Sequence, residues 1–156
     1  MEAIVATLLD RCQWVHQVLR DEVSGLTPEQ LDFVPAAGAN SIGVLAAHVA
    51  GSQAEIWSLV AGVPCERDRP AEFATRGATA AELLARLEAM DRLLAELAPS
   101  IDAAALAGER TRGNGETRSG LYWLVNHALH AREHMAHVQL TKQLFPEIFP
   151  PPARAY

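Results

Sequence analysis

Trp123-Leu124-Val125-Asn126-His127-Ala128-Leu129-His130-Ala131-Arg132-Glu133-His134-Met135-Ala136-His137-Val138 places four histidines in an unbroken stretch of helical periodicity. At about 100° per residue, His127, His130, His134 and His137 fall at roughly 0, −60, −20 and −80° around the axis, so all four imidazoles leave one stripe. Trp123 and Val138 share that arc, which predicts a stripe facing the protein interior. An imidazole buried without a partner costs roughly 1–3 kcal/mol, a large part of a domain's marginal stability, so four of them need an explanation. A shared divalent ion is the economical one, since histidine nitrogen is a common ligand for zinc, nickel, copper and iron. One ion cannot reach along the roughly 15 Å from His127 to His137 at a rise of about 1.5 Å per residue. The i, i+4 pair His130 and His134 is best placed to converge on one point.

Working outward, three more amphipathic segments emerge. Ile4, Leu8, Cys12, Val15 and Leu19 step by three and four through residues 2–22 and define a first helix. Ser41, or Asn40 before it, caps a second whose stripe is Ile42, Leu45, Val49, Ile56 and Val60, with Gly62 and Pro64 closing it and His48 on its flank. Thr79 and Glu82 form a capping-box signature ahead of Leu83, Leu87, Met90, Leu94 and Leu97. Ser119 caps the fourth, histidine-bearing helix, which Pro146 stops near Phe145. Residues 24–40 and 108–120 are rich in breakers and read as two long connections, with room for crossovers that make neighbouring helices parallel. With no strand pattern, the reading is all-α: a four-helix bundle over residues 1–148 followed by a proline-rich tail over 149–156.

Composition narrows the partners. The chain has 156 residues, 49% hydrophobic and 21% charged, with a formal net charge of −6, the profile of an ordinary globular domain. The acidic balance and the lack of a Lys/Arg run argue against nucleic acid. No apolar run approaches the roughly 20 residues of a membrane span, and the start lacks a signal-peptide pattern, so a cytoplasmic protein is expected. Cys12 reads as a small core side chain, and Cys65 follows Val63-Pro64; their separation fits neither a zinc ribbon nor a redox pair.

Two sets of residues carry a resemblance. The first is Leu26-Thr27-Pro28-Glu29-Gln30-Leu31, then Pro35 and Gly38, Asn40-Ser41-Ile42-Gly43 and Leu45-Ala46-Ala47-His48; the second is Asn126-His127 through His130 and His134. In order, separation and helical frame the chain resembles the DinB-like, or YfiT-like, superfamily of metal-binding four-helix bundles. The resemblance implies that His48 joins His130 and His134 as metal ligands, with zinc or nickel as the expected ion. It also implies a homodimer. Some relatives are thiol-dependent transferases or isomerases using low-molecular-weight thiols, which makes such a thiol a candidate second cofactor. Many members continue the motif with arginine, glycine and glutamine, whereas this chain has Met135-Ala136-His137. His137 is therefore either a local variation of the site or an interior hydrogen-bonding residue, and His127 a pocket or interface residue.

Three neutral imidazoles leave a coordination position open, the arrangement of a catalytic and not a closed structural site. The expectation is a metal-dependent enzyme of thiol-transferase or hydrolase type acting on a small molecule, the alternative a metal- or ligand-binding stress-related bundle without turnover. No catalytic residue is assigned. Glu55, on the face of His48, reads as a base, a ligand-orienting group or a solvated flank carboxylate. Glu133 points away from the stripe, and Trp57 and Trp123 read as core or pocket wall.

Overall fold

The structure, a computed structural model, describes residues 1–150. Its four long helices are α1 (Ala3–Val23), α3 (Ile42–Ala61), α5 (Ala80–Leu97) and α7 (Gly120–Leu144). Shorter turns lie between them: α2 (Pro28–Leu31), α4 (Arg69–Phe73) and α6 (Ala103–Ala107). The caps are those the sequence predicts. Ser41 Oγ accepts from the Val44 amide at 3.3 Å, Ser119 Oγ from the Tyr122 amide at 3.2 Å, and Thr79 and Glu82 close a reciprocal capping box. Gly62 ends α3 at φ 74°, a left-handed conformation that a side chain would strain.

The stripes of α3 and α5 are buried as expected, while in α1 the inward residue of the first turn is Val5, with Ile4 left 42% exposed. Starting one residue later rotates the stripe without changing its period. Two core layers follow. One joins Val5, Leu8 and Cys12 of α1 to Ile56, Trp57 and Val60 of α3, Met90 and Leu94 of α5, and Trp123 and Leu124 of α7. The other joins Val15 to Val23, Ile42 to Val49, Leu83 and Leu87, and Ala131 to Val138. Hence α1 and α7 run one way, α3 and α5 the other. Both α1 and α3 pack against both α5 and α7, so α1 and α3 face each other across a diagonal, as do α5 and α7.

This arrangement makes α3 and α5 parallel neighbours, and a parallel pair needs a connection that returns the length of the bundle. Residues 62–79 provide it, with α4 as its one helical turn packed against α3. The two breaker-rich connections instead cross the diagonals. The first holds α2, capped by Thr27 and Gln30. The second holds an antiparallel hairpin, β1 (Glu109–Thr111) with β2 (Thr117–Ser119), in which Glu109 pairs with Ser119 and Thr111 with Thr117. Three-residue strands of charged residues, threonine and serine carry no apolar alternation, which is why no strand is read in the sequence.

Tertiary polar contacts satisfy several of the groups the core buries. Gln53 takes the Trp57 indole N–H on Oε1 at 3.0 Å and donates Nε2 to the His127 carbonyl at 3.0 Å, tying α3 to α7. Trp123 donates to the Arg110 carbonyl at 2.9 Å, so both tryptophans are core residues with their N–H groups paired. Phe149, at the start of the proline-rich segment, is buried and stacks edge-on against Phe33. Residues 151–156 of the predicted tail lie outside the described residues.

Candidate metal centre

The antiparallel packing of α3 on α7 sets His48 opposite His130 and His134. Each offers a ring nitrogen, and the three atoms lie within 4.8 Å of one another. The Nε2 atoms of His48 and His130 are 3.1 Å apart. Two nitrogens on metal bonds of about 2.0–2.1 Å at a tetrahedral angle stand about 3.3–3.4 Å apart, so the pair is spaced for a common ion. His134 supplies an independent observation: both of its ring nitrogens are buried without a hydrogen-bond partner among the described residues. An orphaned imidazole is costly in a folded protein, and a metal is a partner that would satisfy it.

Electrostatics suit the same role. Burial, reinforced by His130, His48 and His137, pushes His134 down to about 4. Burial and then the neighbouring His48 lower His130, and burial lowers His48 against the opposing pull of Glu72. All three are therefore neutral near pH 7, the form that binds metal.

The return connection completes the surroundings. Glu72 of α4 is 6% exposed, and its Oε2 accepts from His48 Nδ1 at 2.9 Å. That bond fixes the proton on Nδ1 and leaves the Nε2 lone pair facing His130, the carboxylate–histidine arrangement of metal sites. Arg67 holds Glu72 bidentately, Nε to Oε1 at 2.6 Å and Nη2 to Oε2 at 2.7 Å. Its Nη1 reaches Glu55, which also takes Nε and Nη2 of Arg112 from the hairpin at 3.2 and 2.6 Å. Gly51 makes room: a Cβ there would collide with the Glu72 carboxylate. Phe73 stands against His48, ring centroids 4.8 Å apart.

The four-histidine stripe separates into three grades. His127 is 4% exposed, its Nδ1 paired with Ser52 Oγ at 2.9 Å, and burial with the nearby Arg112 charge lowers it to about 3. His130 and His134 are half-buried. His137 is exposed, so the expectation of an interior role for it is corrected: α7 turns that position out to solvent. Glu55 is neither a free base nor a solvated flank. Burial would raise its pKa, but Arg112 and Arg67 outweigh this and hold it below the ordinary carboxylate value. Glu133 is on the surface, as predicted.

Sequence reasoning did not find Glu72, Arg67 or Gly51. Asp68 followed by Pro70 is a helix-start signature, and Asp68 Oδ1 does accept from the Ala71 amide at 2.9 Å. That signature predicts the turn but not where it docks.

The sequence profile of the DinB superfamily matches residues 2–138. The chain belongs to the DinB superfamily. No functionally curated protein matches its sequence. Among solved structures, this DinB chain is similar to a conserved protein of Enterococcus faecalis, with TM-score 0.73 and 16% identity over 92% of this chain and 98% of the other. It is equally similar to YfiT from Bacillus subtilis, with TM-score 0.73 and 18% identity over 93% of this chain and 90% of YfiT. YfiT is described as a probable metal-dependent hydrolase with an unusual four-helix-bundle topology. At these identities the likeness concerns the fold. No described helix is long and apolar enough to cross a membrane.

Proposed function

We propose that the protein is a metal-dependent enzyme acting on a small molecule, with His48, His130 and His134 as the ligands of one divalent ion. The observation that carries this reading is the convergence of the three neutral imidazoles on one point, with His134 otherwise unpartnered among the described residues. Zinc or nickel suits an all-imidazole set. When bound, such an ion supplies Lewis acidity and a position for water of lowered pKa or for a low-molecular-weight thiolate. The chain's own groups do the positioning. Glu72 sets the tautomer of His48, Arg67 holds Glu72 in place, and Phe73 keeps solvent from that side of the ring. The description of YfiT as a probable metal-dependent hydrolase supports hydrolysis as the first reaction class to test, with thiol transfer second.

One observation favours the alternative, a metal- or ligand-binding bundle without turnover. Glu72, the carboxylate bonded to His48, and Glu55, joined to it through Arg67, are both engaged by arginine, so neither is free to move a proton. A homodimer is the proposed assembly, supported by the exposed Leu121, Val125, Leu129, Leu140 and Leu144 along α7.

Elemental analysis of untagged protein, reconstituted with zinc or nickel, tests the ligand set. About one ion per chain is expected in the wild type, with loss in His48→Ala and His134→Ala. Full occupancy in His134→Ala would remove the assignment. Turnover of esters or thiol conjugates, lost in His130→Ala, separates the enzyme from the binding protein.

A further inference from the structure

The extended segment between α3 and α4 sorts its charges by side. Cys65, Arg67 and Arg69 line a cleft of about 790 Å³ whose opposite wall is the hairpin end, Thr111 to Asn114, with Glu55 and Leu59 between. Glu66 and Asp68 instead border a separate hollow next to Ala47, Ala50 and Met90, which Arg67 reaches as well on its way to Glu72. Alternation of this kind is a property of extended backbone. In a chain of formal net charge −6, it gathers three guanidinium groups, those of Arg67, Arg69 and Arg112, around one cleft.

The acids nearby do not cancel them. Glu72 and Glu55 take Arg67, and Glu55 also takes Arg112. Arg69 has no carboxylate within ion-pair distance among the described residues; its guanidinium lies over the Phe73 ring at 4.7 Å. Three positive groups against two negative ones leave a net positive cleft. Unused donors remain as well. A guanidinium carries five N–H groups, and Arg112 spends Nε and Nη2 on Glu55 while Nη1 has no hydrogen-bond partner among the described residues. The paired face of Arg112 also fixes its plane, so little order remains to be imposed when a ligand arrives.

We propose that this cleft seats the carboxylate or phosphate group of a small organic anion, with Arg69 and Arg112 as its principal donors. Resting on the enzymatic reading above, the anion is the substrate's charged end. The link is Arg67, which joins the cleft wall to the triad: Nη1 is on Glu55 and Nη2 lies 3.3 Å from His48 Nδ1. Anion binding itself requires no metal.

Cys65 provides a readout independent of activity, because it lines the cleft and is exposed while Cys12 is buried. The rate of Cys65 alkylation by iodoacetamide is measured in metal-free and zinc-loaded protein, with glutarate, inorganic phosphate or chloride at matched ionic strength. Glutarate or phosphate is expected to slow alkylation at least about fivefold at concentrations well above its Kd, in both forms of the protein. The stronger probe tells a carboxylate site from a phosphate site. Arg69→Gln and Arg112→Gln are expected to raise the half-protecting concentration about tenfold, as loss of a charge-assisted hydrogen bond does. Arg76→Gln, which removes the same charge outside the cleft, should change it little. Absence of protection beyond chloride, or equal protection in the Arg69, Arg112 and Arg76 variants, overturns the proposal. Metal content is measured on the same samples. Protection without any metal binding would sink the enzymatic reading, and with it the anion's role as the substrate's end, but not the anion site; metal binding without protection would sink the anion site alone.

Discussion

His48 Nδ1 and Glu72 Oε2 are 2.9 Å apart, across the contact between α3 and the connection that returns along the bundle. This bond sets the direction of the His48 lone pair. Glu72→Gln keeps the shape and an acceptor oxygen but removes the charge that polarises the imidazole. Metal affinity is expected to fall about 10–100-fold, the usual effect of losing such a partner. Competition against a chelator at pH 7.5 measures it, and an unchanged affinity would show that Glu72 plays no part in holding the ion.

Gly51 tests the same contact without touching a polar group. Alanine in a helix interior is favoured over glycine by roughly 0.5–1 kcal/mol, so on an ordinary helix Gly51→Ala would stabilise. Here the added methyl meets the Glu72 carboxylate, with Arg67 Nε at 3.4 Å behind it. Glu72 must move, and the bond to His48 goes with it. Thermal stability should change little, as the helix gain and the displaced ion pair oppose each other, while metal affinity falls as in Glu72→Gln. A Gly51→Ala protein with wild-type affinity would mean that Glu72 finds another route to His48.

These two residues also mark what the sequence reveals and what it withholds. His130 and His134 are legible because an i, i+4 pair on an apolar helix is a local pattern, and His48 because its flanking motif resembles a known one. The four helices are legible for the same reason: Ser41, Thr79 and Ser119 announce their starts, and the apolar period does the rest. Glu72, Arg67 and Gly51 act only through tertiary contact, and their identities are ordinary for a surface turn and a helix. The reading of Glu55 goes astray likewise, because the arginines that engage it come from connections that fold back on α3, Arg67 just beyond the helix and Arg112 from the distant hairpin. Residues 62–79 hold four glycines and prolines, as many as residues 24–40 or 108–120, so breaker content alone does not reveal that they are the ones that make α3 and α5 parallel.

Acidification should destabilise the metal-free protein. His48, His127, His130 and His134 have folded-state pKa values below the ordinary 6.5, His134 at about 4 and His127 at about 3. Between those values and 6.5 the unfolded chain binds more protons than the folded one, so stability rises with pH across the window. The contribution is fully present above about pH 6.5 and is lost as pH falls toward 4 and below. Melts of chelator-treated protein should show a plateau from pH 7 to 8 and a declining Tm from 6.5 to 4. A Tm that rises on acidification from pH 7 to 5 would contradict the burial of these rings.

The last prediction separates structure from site. His16, fully buried in α1, pairs through Nδ1 with Asp91 Oδ1 of α5 at 2.7 Å, and Arg20 Nη1 takes the other oxygen. Burial would raise the Asp91 pKa, yet the hydrogen bonds from His16 and Arg20 outweigh it and hold the carboxyl below its ordinary 3.8. A depressed acid stabilises above its unfolded pKa, and the benefit is lost as pH falls through the folded value. Asp91→Asn should therefore cost roughly 1–3 kcal/mol at pH 7. For a chain of this size that lowers Tm by about 2–4 °C per kcal/mol. The gap between wild type and variant should narrow as pH drops below about 3.8. Metal content and protection of Cys65 should stay at wild-type levels, because Asp91 bonds His16 and Arg20 and none of the triad. Urea unfolding at pH 7 and pH 3, beside elemental analysis, measures both halves. Loss of metal in a folded Asp91→Asn protein would place this cluster in the metal centre and not in the scaffold.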